Sequence, residues 1–304
     1  MKSLVLTLAV ALLAAAPASA QERRQARQPT QYSGEDRVVL DPTKAYIFYR
    51  TQYRTNYRFM REPDAAEVAD HAARRAAALA QARERYARRL RQWESQRRLC
   101  RGQHPSRCQA PMDRPTEPTE ATFAFDPPEL DNFVFNQIRP RIWGDGDQVS
   151  GWLIAVQPGT YVLYGAIAQG QGAMAGGCFC MGSVRFDAPA GKITHFGTIS
   201  DDISQEDALA FAREHGERGF RLGHGVVTPA AADNRPLPPT LASLPVVPAQ
   251  LRAADKMPNY FGVFIARIAP IPGILAYRRD VVVDGRTGQP VEAAATAPAA
   301  AGAP

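Results

Sequence analysis

Several catalytic signatures are missing from this 304-residue chain. It has no G-x-S-x-G, no H-E-x-x-H and no Walker loop, so nucleophile-elbow, zincin and P-loop chemistry find no support in it. The five histidines contain no helical i, i+4 pair. Gly170 to Gly177 (GQGAMAGG) looks like a phosphate cradle, yet no Gly-Lys-Ser/Thr closes it and no helix follows; it is predicted as a flexible hairpin loop. After the first twenty residues no apolar run is long enough to cross a bilayer, so no transmembrane segment is expected. No cysteine follows Ala20 directly, which leaves the lipid anchor of bacterial lipoproteins without an attachment site. Cysteine is scarce, four residues in all, and 23 Gly with 25 Pro favour turns over long helices.

The first twenty residues themselves are distinctive. Lys2 precedes the apolar run Leu4 to Leu13, and Ala18-Ser19-Ala20 follow Pro17, the layout of a secretory signal peptide cut after Ala20. The mature chain is expected to begin near Gln21 and to be periplasmic or secreted. Without signal and tail, about 265 residues remain, enough for one large domain or two small ones.

Charge is uneven. Residues 21–101 carry 19 Lys+Arg against 10 Asp+Glu, whereas residues 102–304 carry 16 against 20. The basic excess of the first part suits an anionic partner, and export removes nucleic acid from consideration. The partner is unknown: an anionic envelope polymer or another envelope protein is a candidate, against the plainer reading that the arginines simply solvate a long helix.

Residues 21–40 read as a flexible leader, and 41–287 as one β-sandwich-like domain with a helical insertion over 64–110. Residues 288–304 read as a disordered Ala/Pro tail. Lys44 to Thr51 (KAYIFYRT) is aromatic and β-branched, which predicts a strand buried on both faces; Tyr57 to Met60 is a second short one. From Asp64 to about Leu99 the chain is rich in Ala, Arg and Glu and has neither Gly nor Pro, which predicts a helix about 50 Å long. Ala65, Ala69, Ala72, Ala76, Leu79, Arg83, Tyr86, Leu90, Trp93 and Arg97 form a coiled-coil-like stripe on this arm. Tyr86 and Trp93 on it are candidate partner contacts, or contacts onto the protein's own body.

Pro111 to Thr119 (PMDRPTEPT) should run back along the helix, followed by short strands at Ala121 to Asp126 and Phe133 to Gln137. Ser150 to Gln157, Thr160 to Ala168, Cys178 to Asp187 and Lys192 to Ile199 are strand-like runs between turn signals. They predict an antiparallel sheet, one layer of a sandwich or small barrel. Ser204 to His215 reads as a short capped helix, residues 219–258 as irregular, and Phe261 to Ile268 and Ile274 to Asp284 as two last strands. The fold class expected is thus mainly β, an antiparallel β-sandwich or small barrel with an inserted Ala/Arg-rich helical arm (α+β).

Cys100, Cys108, Cys178 and Cys180 in an exported chain are disulfide candidates with three possible pairings. Joining Cys100 to Cys108 would staple the tip of the arm. Cys178-Phe179-Cys180 also admits a metal or redox reading. If residues 178–187 form one strand, Cys178 and Cys180 share a core-facing side with Val184 and Phe186. A hairpin at Ala188 to Gly191 would pair Val184 with His195 and hold that imidazole about 13 Å from Cys180, too far to share a metal ion. His104 and His224 remain possible third ligands that spacing does not single out. Bonding Cys178 to Cys180 would close a very small ring and force the strand to bend. Neither a metal site nor a cofactor is expected. A hydrolase assembled from distant loops, for instance Asp201, His215 and His224, is a weaker possibility, and Glu206, Asp207, Glu214 and Glu217 read as solvated surface.

At PGTYVLYG and CFCMGSVRFDAPAGKITHFGTI, residues 150–200 resemble small β-sandwich domains of exported and lipoprotein-type bacterial proteins, which share a G-K-x-x-x-x-G-x-I phrase, here Gly191, Lys192, Gly197 and Ile199. The Ala/Arg helix, MPNYFGVFIARI and the Pro/Ala tail are similar to exported proteins of alphaproteobacteria. The resemblance implies a β-sandwich and export, and carries no activity or functional residue. The expected function is a non-enzymatic binding or structural role in the envelope or periplasm; the rival is a thiol redox or metal-binding protein using Cys178 and Cys180.

Overall fold

A computed structural model describes residues 29–34, 36–52, 55, 57–101, 113–134, 141–145, 148–170, 173–201 and 225–292. The first elements are β1 (Thr30–Tyr32), β2 (Ala45–Gln52), β3 (Tyr57–Arg61) and the helix α1 (Ala65–Cys100). After a 3-10 turn at Pro128–Asn132 come β4 (Phe133–Val134), β5 (Trp143–Asp145), β6 (Val149–Val156), β7 (Gly159–Gly170), β8 (Ala173–Cys178), β9 (Ser183–Ala188) and β10 (Ile193–Asp201). The last strands are β11 (Gly225–Pro229), β12 (Val246–Pro248), β13 (Arg252–Ala254), β14 (Phe264–Ile265), β15 (Leu275–Arg278) and β16 (Val281–Asp284).

Two seven-stranded sheets carry the fold. One has the order β1-β6-β2-β10-β11, with β5 added to β6 and β12 to β10; the other has β13-β9-β7-β3-β4, with β8 on β7 and β14 on β8. Strand alternation builds the layer between them. Ile47, Tyr49, Trp152, Ile154 and Phe196 of the first sheet meet Phe59, Tyr161, Leu163, Val184 and Phe186 of the second in one core. Phe59 lies edge-on to Tyr49, Phe186 and Phe196 at 5.1, 5.7 and 5.5 Å, the preferred aromatic geometry.

Both outer faces are covered as well. Tyr46, Phe48, Leu153 and Ile193 pack outward against Val38 and Leu241, and Met60, Val162, Tyr164, Cys178 and Cys180 against Ala254 and Val263. Seven of the eight residues of β2 are consequently buried, as its aromatic and β-branched run predicts, Arg50 and Thr51 among them.

Among the described residues the protein is mainly β with one long helix, as expected, but the sheets are mixed. β10 runs parallel to both β2 and β12, and β14 parallel to β8. The hairpin expected at Ala188 to Gly191 does not exist. β9 pairs with β7 and β13 in the second sheet, while β10 belongs to the first. The connection is an arch across the sandwich, so Phe186 and Phe196 meet through the core at 5.2 Å. Gly191 N and Tyr46 N tie the arch to the start of β2 through Lys44 O and Lys192 O, at 2.7 and 3.1 Å.

Other expectations shift too. Gly170 to Gly177 is mostly strand: Ala173–Cys178 pairs with β7, because Gly165 and Gly176 allow a backbone approach no side chain tolerates. A Cβ on Gly165 (φ 152°) would stand 2.1 Å from Gly177 O. Thr30–Tyr32 of the supposed leader pairs with β6, and Val38 is buried. Residues 121–126 are not a strand; they lie along the helix. Only Phe264–Ile265 of the Phe261 to Ile268 run is strand. Ile274 to Asp284 is a hairpin turning at Arg279 (φ 54°), not one strand. Residues 219–258 include β11, β12 and β13, and Val291 N still bonds Val282 O at 3.0 Å, so order continues past residue 288. The Ser204 to His215 helix lies outside the described residues.

Helix α1 opens with a capping box. The Asp64 carboxylate accepts from Glu67 N at 2.9 Å, and the Glu67 carboxylate accepts from Asp64 N at 3.0 Å. Glu67 also pairs with Arg61 of β3, which fixes the helix to the sheet. The Pro-rich segment then runs antiparallel along it: Arg83 donates to Pro118 O, Arg75 to Glu120, and His71 bonds Asp126 O at 2.7 Å. This strap selects the covered face. Leu79 is buried and Tyr86, Leu90 and Trp93 are half-buried, whereas Ala65, Ala69, Ala72 and Ala76 of the expected stripe are exposed, because His71 and Arg75 meet the strap instead.

Candidate functional site

Three places merit description: the arm, the cysteine pair and a buried polar cluster. On the arm the arginines divide into two groups. Near the sheet, Arg74 pairs with Asp70 and Asp131 at 2.8 and 3.6 Å, and Arg75 with Glu120. Farther out Arg85, Arg88, Arg89, Arg91, Arg98 and Arg101 are exposed, and among the described residues none has an acidic partner. Only Glu84 and Glu94 offset them on the outer half of the helix. The candidate contacts Tyr86 and Trp93 lie half-buried on the covered face, and Arg97 sits over the Trp93 ring at 5.2 Å.

Cys178 and Cys180 are bonded to each other across a Cα separation of 5.1 Å. β8 ends at Cys178 and the chain turns over residues 179–182, closed by Gly182 N to Phe179 O at 3.2 Å; the strand bends, as so small a ring requires. That turn also reverses the expected facing. Phe179 enters the core between the sheets and stacks on Tyr57, while both cysteines point to the opposite, outer layer, away from Val184 and Phe186. Cys180 Sγ lies 3.8 Å from the Tyr164 hydroxyl and 3.6 Å from Pro258 O. Burial pushes the Tyr164 hydroxyl pKa up, so it stays a neutral donor, bonding Pro258 O at 3.1 Å. With both sulfurs in one bond, neither offers a thiolate to a metal ion, and no cluster of three metal-binding side chains occurs among the described residues. Cys100 closes the helix and is disulfide-bonded too. Asp201 is the last residue of β10, whereas Cys108, His104, His215, His224 and the carboxylates at 206, 207, 214 and 217 lie outside the described residues.

His195 is in the other sheet altogether, where it belongs to a cluster that sequence reasoning missed. Arg50, fully buried on the outward face of β2, donates to the Asp233 carboxylate at 2.9 Å and to Pro236 O at 2.6 Å. Its other close neighbour is His195 Nε2 at 3.2 Å. A guanidinium can only donate, so Nε2 accepts and the His195 proton sits on Nδ1. The Phe48 and Trp143 rings lie 5.1 and 5.5 Å from the guanidinium carbon.

Burial and the adjacent Arg50 charge lower the His195 pKa to about 4. Burial alone would raise the Asp233 pKa. Bonds from Thr198 Oγ1 at 2.7 Å and Arg235 N at 3.1 Å, with Arg50, outweigh it and hold the carboxyl below its usual range. Arg50, His195, Thr198 and the Asp233 side chain are enclosed, so the cluster clamps the 230–236 loop onto the sheet. A charged residue inside a doubly buried apolar strand is the signal that could have found it.

The chain matches no protein-family model, and no curated protein or solved structure is similar to it.

Proposed function

We propose that this is an exported, non-enzymatic envelope protein, periplasmic or secreted, that binds an anionic envelope polymer through the outer half of its helical arm. The observation that carries this reading is the division of the arginines. Those near the sheet are neutralised internally, and those beyond Arg83 are exposed without acidic partners among the described residues. Desolvating a cation already paired gains little, whereas an exposed unpaired row gains counterion release and direct ion pairs. The planar guanidinium fork suits phosphate or carboxylate, and the arm contains no lysine.

Signs of export in the first twenty residues support an envelope location. The spread of arginines over the exposed circumference of the helix favours a flexible polyanion, which can touch several sides of a rod, over a flat surface, which touches one.

The test is binding of the full chain to polyphosphate and to polygalacturonate at rising salt. Arg85→Gln, Arg88→Gln, Arg89→Gln and Arg91→Gln together should weaken binding about tenfold or more and flatten its salt dependence. Undiminished binding by this variant, or none by the parent chain at low salt, rejects the reading.

A further inference from the structure

We propose that the Cys178–Cys180 disulfide is a redox modification site at which a dithiol reduces the bond and thereby frees residues 257–266 from the outer face of the second sheet. The bond closes a loop of three residues, so it restricts the unfolded chain less than longer cross-links do. Its leverage is on local folded geometry.

The two cysteines hold both ends of one excursion of the chain. Met257 N donates to Cys180 O at 3.0 Å and Ala266 N to Cys178 O at 2.7 Å, while Met181 N, from the same turn, donates to Ala266 O at 3.0 Å. Between these anchors the segment forms a self-closed unit. Asn259 bonds Val263 in both directions, Nδ2 to O at 2.6 Å and N to Oδ1 at 3.1 Å. The Tyr260 and Phe261 rings rest on Tyr164 and Phe133, and Tyr260 N donates to the Tyr164 hydroxyl at 2.9 Å. Phe264 and Ile265 are exposed. The segment is held by these anchors, by ring packing and by the two-residue pairing of β14 with β8, far less than holds the central strands, so it opens at lower cost than the sandwich itself.

Opening uncovers Cys180, which lies under Pro258. A thiolate of the dithiol then attacks Cys180 Sγ. The sulfur–sulfur bond breaks, and Cys178 departs as a thiolate that takes up a proton. The reagent's second thiol attacks the mixed disulfide, releasing Cys180 as a thiol and leaving the reagent as a cyclic disulfide. In sum two electrons and two protons pass from the dithiol to the protein. Two separate thiols need more room than one disulfide, and the site is tightly enclosed: Cys178 is fully buried and Cys180 3 % exposed. The turn that supplies all three anchors relaxes, and the aromatic surface under the segment opens. This inference is independent of the arm.

Hydrogen exchange of the full chain, read by mass spectrometry before and after dithiothreitol, tests it, with the bond state followed by alkylation of the 178–180 peptide. Once the bond is reduced, amides in 257–266 should exchange faster by about tenfold or more while those of β2 and β6 keep their protection. Unchanged exchange in 257–266 after complete reduction overturns the proposal. Loss of protection throughout both sheets, or a bond that resists reduction until the protein unfolds, does so equally. In Cys178→Ala/Cys180→Ala, dithiothreitol should leave 257–266 unaltered; an effect there would trace to the bond at Cys100 and also defeat the proposal.

Discussion

Replacing Asp233 by Ala should be among the most destabilising single changes on the first sheet. Arg50 is fully buried and the Asp233 side chain 2 % exposed, so the substitution leaves a cation enclosed without its counter-ion. Breaking a buried pair in this way costs about 3–5 kcal/mol. Loss of the Thr198 and Arg235 N bonds adds about 1 kcal/mol each. Against that, Arg50 keeps Pro236 O, His195 Nε2 and two aromatic faces. A net loss of at least about 3 kcal/mol follows, a large share of the roughly 5–15 kcal/mol that holds a typical domain folded.

Urea unfolding followed by tryptophan fluorescence measures it, as a lower midpoint at unchanged slope. Arg50→Met/Asp233→Ala, which removes both charges, should recover at least about 1 kcal/mol relative to the sum of the single variants. A loss under about 1 kcal/mol for Asp233→Ala, or strict additivity in the double variant, would refute the clamp.

The same cluster sets an acid limit. Folded His195 takes a proton only near pH 4, whereas an unfolded histidine does so near 6.5, so unfolding absorbs a proton between those values. Stability should therefore fall as pH drops from about 6.5 to about 4, by up to about 1.4 kcal/mol per pH unit, and His195→Gln should flatten that stretch of the stability–pH curve. Asp233 acts lower still. Its folded pKa is depressed, so its contribution is present above the normal carboxyl range and is lost as pH falls through the folded value.

Gly225→Ala would put a Cβ 2.3 Å from the Phe179 ring, which is buried and stacked on Tyr57; thermal unfolding should reveal a loss of about 1–3 kcal/mol. Asp64→Ala removes the helix cap, and a loss of about 1 kcal/mol, with increased exchange in the first turn of α1, is expected in hydrogen-exchange measurements.

Much of this architecture is written locally. Lys44 to Thr51 announced a strand buried on both faces because no polar residue interrupts its alternation until Arg50. The helix announced itself as a run from Asp64 to about Leu99 rich in Ala, Arg and Glu and free of Gly and Pro, and the proline-rich run after it could only extend. The Cys178–Cys180 ring implied a bend at that point whatever surrounded it. Other features escaped for definite reasons. Gly170 to Gly177 looked like a loop since glycine is depleted in strands, but here it permits a backbone approach only glycine allows. The arm's alanine positions are apolar yet exposed, because the strap engages His71 and Arg75 on a neighbouring face. No spacing links Arg50 to His195 or Asp233, which lie 145 and 183 residues further along the chain.

By itself, the sequence determined the long helix, the doubly buried β2 and the strands β6, β7, β9 and β10, since period and backbone restriction act over a few residues. Only the tertiary structure decided that β9 and β10 belong to opposite sheets, which way the cysteine pair faces, and that a buried arginine finds its carboxylate. A four-residue connector serves a hairpin and an arch equally well, and alternation says that a face is buried without saying against what. Those choices are settled by packing among distant residues, whose free energy appears only when the whole sandwich closes.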